Sequence, residues 1–97
     1  MIIRIVKMSF QPDKTSDFLS VFNKSKEKIA SVEGIISLEL IRDRDNKNIF
    51  FTISKWKNED FLEKYRKSEL FQNTWSKTKI LFNQKPEAWS TETIFKK

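Results

Sequence analysis

The chain contains one glycine, Gly34, and it separates a helical repeat of apolar residues from a strand-like alternation. Upstream of it, Phe18, Phe22, Ile29 and Val32 fall on one helical stripe, with Ser25 filling the gap and Leu19 and Val21 widening it. This spacing predicts a helix over about residues 13 to 32, capped by Asp13 or Thr15, with Gly34 as the left-handed residue past its end. Downstream, Ile36, Leu38 and Leu40 alternate with Ser37 and Glu39 in a strand from Ile35 to Ile41. The polar turn from Arg42 to Asn48 then leads into a second strand, Ile49 to Trp56, and the two read as a hairpin.

The same reading extends to both ends. Ile2 to Phe10 carries Ile3 and Ile5 on one face and Val6, Met8 and Phe10 on the other, a strand covered on two sides. After Trp56, Lys57-Asn58-Glu59-Asp60 forms a capped, acidic start to a short helix holding Phe61, Leu62 and Tyr65. Ser68 can cap another helix with the stripe Phe71, Trp75, Thr78 and Phe82, stopped by Pro86. Ala88 to Phe95 alternates as a last strand. The expected fold is α+β: a single ferredoxin-like βαββαβ domain over residues 1–97, with an antiparallel sheet and its helices on one face. Ile3, Ile5, Ile35, Phe51, Ile53 and Trp89 are candidates for the other face. An apolar open face calls for a sheet-to-sheet partner, so a homodimer is expected.

Composition removes whole classes of chemistry. Histidine and cysteine are both absent, which excludes Cys/His metal sites, haem ligation by His, thiol or Ser–His nucleophiles, and disulfides. A single glycine leaves no Gly-rich phosphate loop. No apolar run exceeds three residues, as at Ile49-Phe50-Phe51, whereas a membrane helix needs about 20. MIIRIVKMSF lacks the h-region of a signal peptide, so a cytoplasmic protein with no membrane association is expected. The net charge is +6, but 19 basic residues are mixed with 13 acidic ones along the whole chain. Nucleic-acid binders gather their charge on one face, so this pattern reads as a solvated surface.

Short motif matches carry little. Ser25-Lys26-Glu27-Lys28 and Ser76-Lys77-Thr78-Lys79 fit S-x-x-K without its companion motifs. Asp43 to Lys47 begins like a calcium loop but puts Asn48 where glycine is required, and reads as a turn. Glu59 and Glu63 share a helix face, where they complement the helix dipole. Asn23-Lys24-Ser25 is a formal glycosylation sequence in the middle of the first helix. The informative stretch runs from Trp56 to Trp75. Its spacing places Tyr65, Phe71 and Trp75 on one side of a helix-turn-helix, facing back toward Trp56. These aromatics either close the core or line a pocket for a flat ligand.

In its βαββαβ order, the chain resembles the antibiotic biosynthesis monooxygenase-like family of the dimeric α+β barrel superfamily. Val32-Glu33-Gly34 before the second strand, Ser54-Lys55-Trp56 closing the third, and Phe61, Tyr65, Ser68 and Phe71 after it carry the likeness. The resemblance implies a dimer whose sheets form a barrel, with a pocket in each protomer between sheet and helices. Relatives of this kind oxidise phenols, quinols or anthrone-type polyketides with molecular oxygen and no metal or flavin, or degrade haem. The haem-degrading pattern of Asn, Trp and His is met here by Val6, Tyr65 and Trp75, so haem degradation is not expected. Quinol-oxidising relatives often carry His where this chain has Tyr65, and anthrone-oxidising ones carry Asn near Thr52.

On this resemblance Tyr65 and Trp56 are the candidate catalytic residues. Arg4, Thr52, Ser54, Phe71 and Trp75 are the candidate substrate-binding ones, with no cofactor and no metal. A free phenol titrates near ~10, so Tyr65 is expected to act as a hydrogen-bond donor rather than a base, with Arg4 adding charge. The expected ligand is a small, flat, oxygenated aromatic or polyketide-like molecule. A non-catalytic ligand-binding or stress-associated barrel is the alternative.

Overall fold

The structure, a computed structural model, describes residues 1–97. Strand β1 (Ile2–Ser9) leads through one 3-10 turn (Pro12–Lys14) into α1 (Thr15–Ala30). The hairpin of β2 (Ile35–Arg42) and β3 (Ile49–Trp56) follows, then α2 (Glu59–Arg66), α3 (Glu69–Lys79) and β4 (Glu87–Thr91). The four strands form one antiparallel sheet in the order β2-β3-β1-β4, the ferredoxin-like arrangement, with β1 and β3 central. No helix is long and apolar enough to cross a membrane.

Local chemistry accounts for the helix starts. Asn58 accepts a hydrogen bond from Phe61 N at the start of α2, and Ser68 does the same for Phe71 N at the start of α3. Each cap satisfies a backbone donor that has no partner inside its helix. Neither Asp13 nor Thr15 caps α1, which starts from the 3-10 turn without a side-chain cap. Gly34 also has a different task from the one expected. The α1 C-cap is Ser31, and Gly34 takes φ +89° in a later turn that Ile35 N closes by donating to Val32 O. A positive φ at the third position of such a turn is the type II requirement.

Strand register assigns the two faces of the sheet. Residues paired across antiparallel strands point to the same side. On the helix side, Leu38, Ser54, Arg4 and Ser90 form one row, and Leu40, Thr52, Val6 and Ala88 the next. On the open side, Glu39, Ile53, Ile5 and Trp89 form a row beside Ile41, Phe51, Lys7 and Glu87. Ile35 does not belong to the open face, because a bulge interrupts β2 between Ile35 and Ser37. Ile35 pairs with Trp56 on the helix side and Ile36 becomes the extra, 48% exposed residue. The last strand is shorter than its alternation suggests. Thr91 pairs with Ile3 near the start of β1, so β4 runs out of partner, and Ile94 and Phe95 stay exposed.

The core lies at one end of the helix side. Met8, Phe10, Phe18 and Phe50 are buried together, with Phe10 stacked on Phe18 at 4.2 Å between ring centroids. Gln11 N donates to Leu81 O and Asn83 N to Ser9 O, both at 3.0 Å, which ties the segment after α3 to the end of β1. This closes the core end of the sheet and leaves the space between α2, α3 and the Trp56 end of the strands less filled.

Candidate functional site

Beside the core, the helices and the sheet enclose a cavity of about 290 Å³. Its floor is the two helix-side rows, with Arg4 and Ser54 in one and Thr52 and Val6 in the other. α2 contributes Tyr65 and Arg66, and α3 contributes Phe71, Thr74 and Trp75. Tyr65, Trp56, Arg4, Thr52, Ser54, Phe71 and Trp75 all line it together. The lining is largely apolar, the usual character of a small-molecule site.

The aromatic wall is continuous. Trp56 stacks on Tyr65 at 5.2 Å, Tyr65 meets the edge of Phe71 at 5.3 Å, and Phe71 stacks on Trp75 at 5.8 Å. Trp75 then meets Phe82, which reaches Phe10 in the core. The two readings of this stripe are therefore one object: the rings extend the core and form a cavity wall at the same time.

The polar groups differ in what they can offer. Trp56 is only 1% exposed, and its indole Nε1 donates to Ser54 Oγ at 2.9 Å. That bond satisfies a buried donor and holds the indole plane in place. Ser54 and Trp56 thus occupy each other. Tyr65 is held differently: its backbone carbonyl accepts from Ser68 N and Ser68 Oγ, the latter at 2.6 Å, which fixes the turn between α2 and α3. Burial pushes the Tyr65 phenol up to about 12. It is protonated at every physiological pH and acts as a donor or neutral acceptor, not as a base.

Arg4 donates from Nη1 to Ser90 Oγ at 3.0 Å, bridging β1 to β4 under the cavity. Its guanidinium is held below its ordinary value by burial, and further by repulsion from Arg66, with Glu63 acting in the opposite direction. Arg66 was not among the residues singled out from the sequence, although it lies one helical turn after the buried Leu62. It donates from Nη1 to Glu63 Oε1 at 3.0 Å and also lines the cavity. Ser90 was missed as well, since its pairing with Arg4 depends on strand register alone. No three acidic side chains converge in a way that would hold a metal ion.

The sequence pattern of antibiotic biosynthesis monooxygenases matches residues 1–76. The chain belongs to this family. The match takes in every candidate site residue from Arg4 to Trp75, and leaves out β4 and Ser90. Solved structures agree on the fold of the antibiotic biosynthesis monooxygenase family. A crystal structure of an antibiotic biosynthesis monooxygenase superposes with a TM-score of 0.91 at 16% identity, covering 97% of this chain and 99% of the other. A conserved protein from Methanosarcina mazei Go1 gives 0.88 at 22% identity, covering 94% and 91%. A mutant of SnoaB, a cofactor-independent oxygenase from Streptomyces nogalater, gives 0.86 at 18% identity, covering 98% and 94%. At these identities the structural likeness is one of fold. No curated protein matches the chain.

Proposed function

We propose that the chain is a cofactor-independent monooxygenase that oxidises a small, flat, oxygen-bearing aromatic, such as a phenol, a quinol or a polyketide-like ring, in the cavity between sheet and helices. One observation carries the reading: a protonated phenol, Tyr65, stands in the aromatic wall of an apolar cavity, stacked on Trp56 and beside Phe71. Trp56, held by Ser54, keeps the Tyr65 ring in its plane. Tyr65 would donate to an oxygen of the ligand, while Phe71 and Trp75 pack against its rings. Thr52 and Arg4 supply further donors from the floor. In the proposed reaction one oxygen atom of O2 enters the ring system. The other leaves as water with two hydrogens from the substrate, and the substrate supplies all the electrons. SnoaB, described as a cofactor-independent oxygenase, shares the fold, and this favours the class of reaction.

A non-catalytic binding protein is the second reading. It is favoured by the charged groups of the cavity lining, which are both arginines, so that no carboxylate or imidazole stands ready to take a proton. Oxygen uptake separates the two. Purified protein titrated with quinols and phenols in an oxygen electrode should show saturable uptake that drops about a hundredfold or more in Tyr65→Phe, the usual weight of one positioned donor. Saturable quenching of tryptophan fluorescence with no oxygen uptake from any bound ligand would decide for the binding protein.

We also propose that the working unit is a homodimer, the two open sheet faces packing together as a barrel. The support is the apolar row of Ile53, Ile5 and Trp89 on the face opposite the helices, where Trp89 is 43% exposed.

A further inference from the structure

The two charged side chains lining the cavity are Arg4 and Arg66, and they come from different elements, β1 and α2. One carboxylate answers them: Glu63, paired with Arg66 at 3.0 Å. Glu63 does not itself line the cavity. The space between sheet and α2 therefore faces two guanidiniums across a mainly apolar wall, with their compensating charge set outside it.

Like charges beside one cavity repel; Arg4 is half-buried and Arg66 exposed, so solvent screens part of this repulsion. Arg4 is tethered to Ser90 through Nη1, and Arg66 to Glu63 through Nη1, which leaves other guanidinium N–H groups on each for a further partner. An anion among them would relieve the repulsion and gain charge-assisted hydrogen bonds. A guanidinium suits a planar oxyanion better than an ammonium does, because its donors form a fork.

We infer that the cavity selects a ligand that is anionic, a flat aromatic body bearing a carboxylate or an ionised phenol or enol oxygen, with the oxyanion held by Arg4 and Arg66 and the ring against Tyr65, Phe71 and Trp75. This deepens the proposed function, on whose site it rests. It also answers a chemical question left by that reading. With no base in the lining, the ligand's own acidity, raised by two cations and the Tyr65 hydroxyl, provides the electron-rich form on which oxygen can act. Arg66 belongs to the site for this reason, although aromatic spacing does not point to it.

Quenching of tryptophan fluorescence by two probes of the same shape, 2-naphthoate and 2-naphthamide, tests the inference at pH 7.5. Naphthoate is expected to bind about tenfold or more tightly than the neutral amide, the scale of a charge-assisted contact. Arg4→Gln/Arg66→Gln should abolish the preference, bringing naphthoate affinity down to that of the amide, and circular dichroism checks that this variant is folded. Glu63→Gln, which removes the competing carboxylate without touching the lining, should strengthen the preference. A third probe, 2-naphthol, tells the two oxyanions apart. Binding that tightens steeply as naphthol ionises at alkaline pH, in wild type but not in the double variant, assigns the site to phenolates as well as carboxylates. Equal affinities for naphthoate and amide, no binding of naphthoate, or a preference that survives in the double variant would overturn the inference. The oxygenase reading fails separately. Selective naphthoate binding without oxygen uptake from any acidic phenol leaves this inference standing, and uptake with neutral quinols regardless of charge does the reverse.

Discussion

Tyr65 is the only tyrosine of the chain, so its ionisation can be followed without interference from another phenol. Burial raises its pKa to about 12, above the value near ~10 of an unfolded chain. The sign follows directly. Below pH ~10 both states hold the proton and the stability is complete; between ~10 and 12 the unfolded chain ionises first and stability falls. The loss should be on the order of 2–3 kcal/mol across that interval. Urea unfolding at pH 9, 11 and 12, compared with Tyr65→Phe, measures it, and absorbance of the phenolate near 295 nm reports the titration itself. A wild-type midpoint that falls no faster than that of Tyr65→Phe would show that the ring is not desolvated. The same residue shows how far composition reaches. A lone tyrosine in an aromatic-rich stretch was recognisable as a candidate donor, but its protonation state follows from burial, a property of the packed molecule.

At the level of elements, Gly34 links the end of α1 to the sheet and to α2. A Cβ there would fall on the Phe61 ring, and the backbone already sits at φ +89°. Gly34→Ala should therefore cost roughly 2–4 kcal/mol, part from the positive φ and part from crowding. In a Phe61→Ala background the crowding part should vanish, so the substitution becomes cheaper there by about 1 kcal/mol or more. Equal costs in the two backgrounds would assign the whole effect to the backbone. The glycine was legible from the sequence as a left-handed position after the helix. Its contact with Phe61 was not, because a helix of the second half of the chain makes it. The bulge in β2 has the same status. Alternation over Ile36, Leu38 and Leu40 suggested one face, and only pairing with β3 shows that Ile36 is the extra residue and Ile35 the cavity one.

At the scale of the whole molecule, one face of the sheet carries the helices and the other carries Ile53, Ile5 and Trp89 in a cross-strand row flanked by Glu39. If two copies pack through this row, Ile53→Glu places an unpaired charge at the centre of the contact. It should weaken the dimer by about a hundredfold or more, enough to give a monomer at micromolar concentration. Light scattering after size exclusion reads the result, and a mass of one chain for the wild type would remove the barrel altogether. The three ion pairs are partly or well exposed and contribute little, so the stability of the single chain rests on the aromatic core.

The amino-acid sequence alone determined the element order, the hairpin, the capped starts of α2 and α3, the apolar open face, and the absence of His and Cys chemistry. Each of these is local: it depends on residue type and on repeats of two or 3.6 residues that neighbours along the chain display. Only the tertiary structure decided that Ser54 takes up the Trp56 indole, that Ser90 anchors Arg4, and that Arg66 lines the same cavity as Arg4. The Ser54–Trp56 bond, between two residues of β3, follows from burial of the indole, and the Arg4 pairings join β1 to β4 and α2, segments remote in sequence. Strand register and the way α2 lies over the sheet bring them together, and neither leaves a periodic signal in the chain.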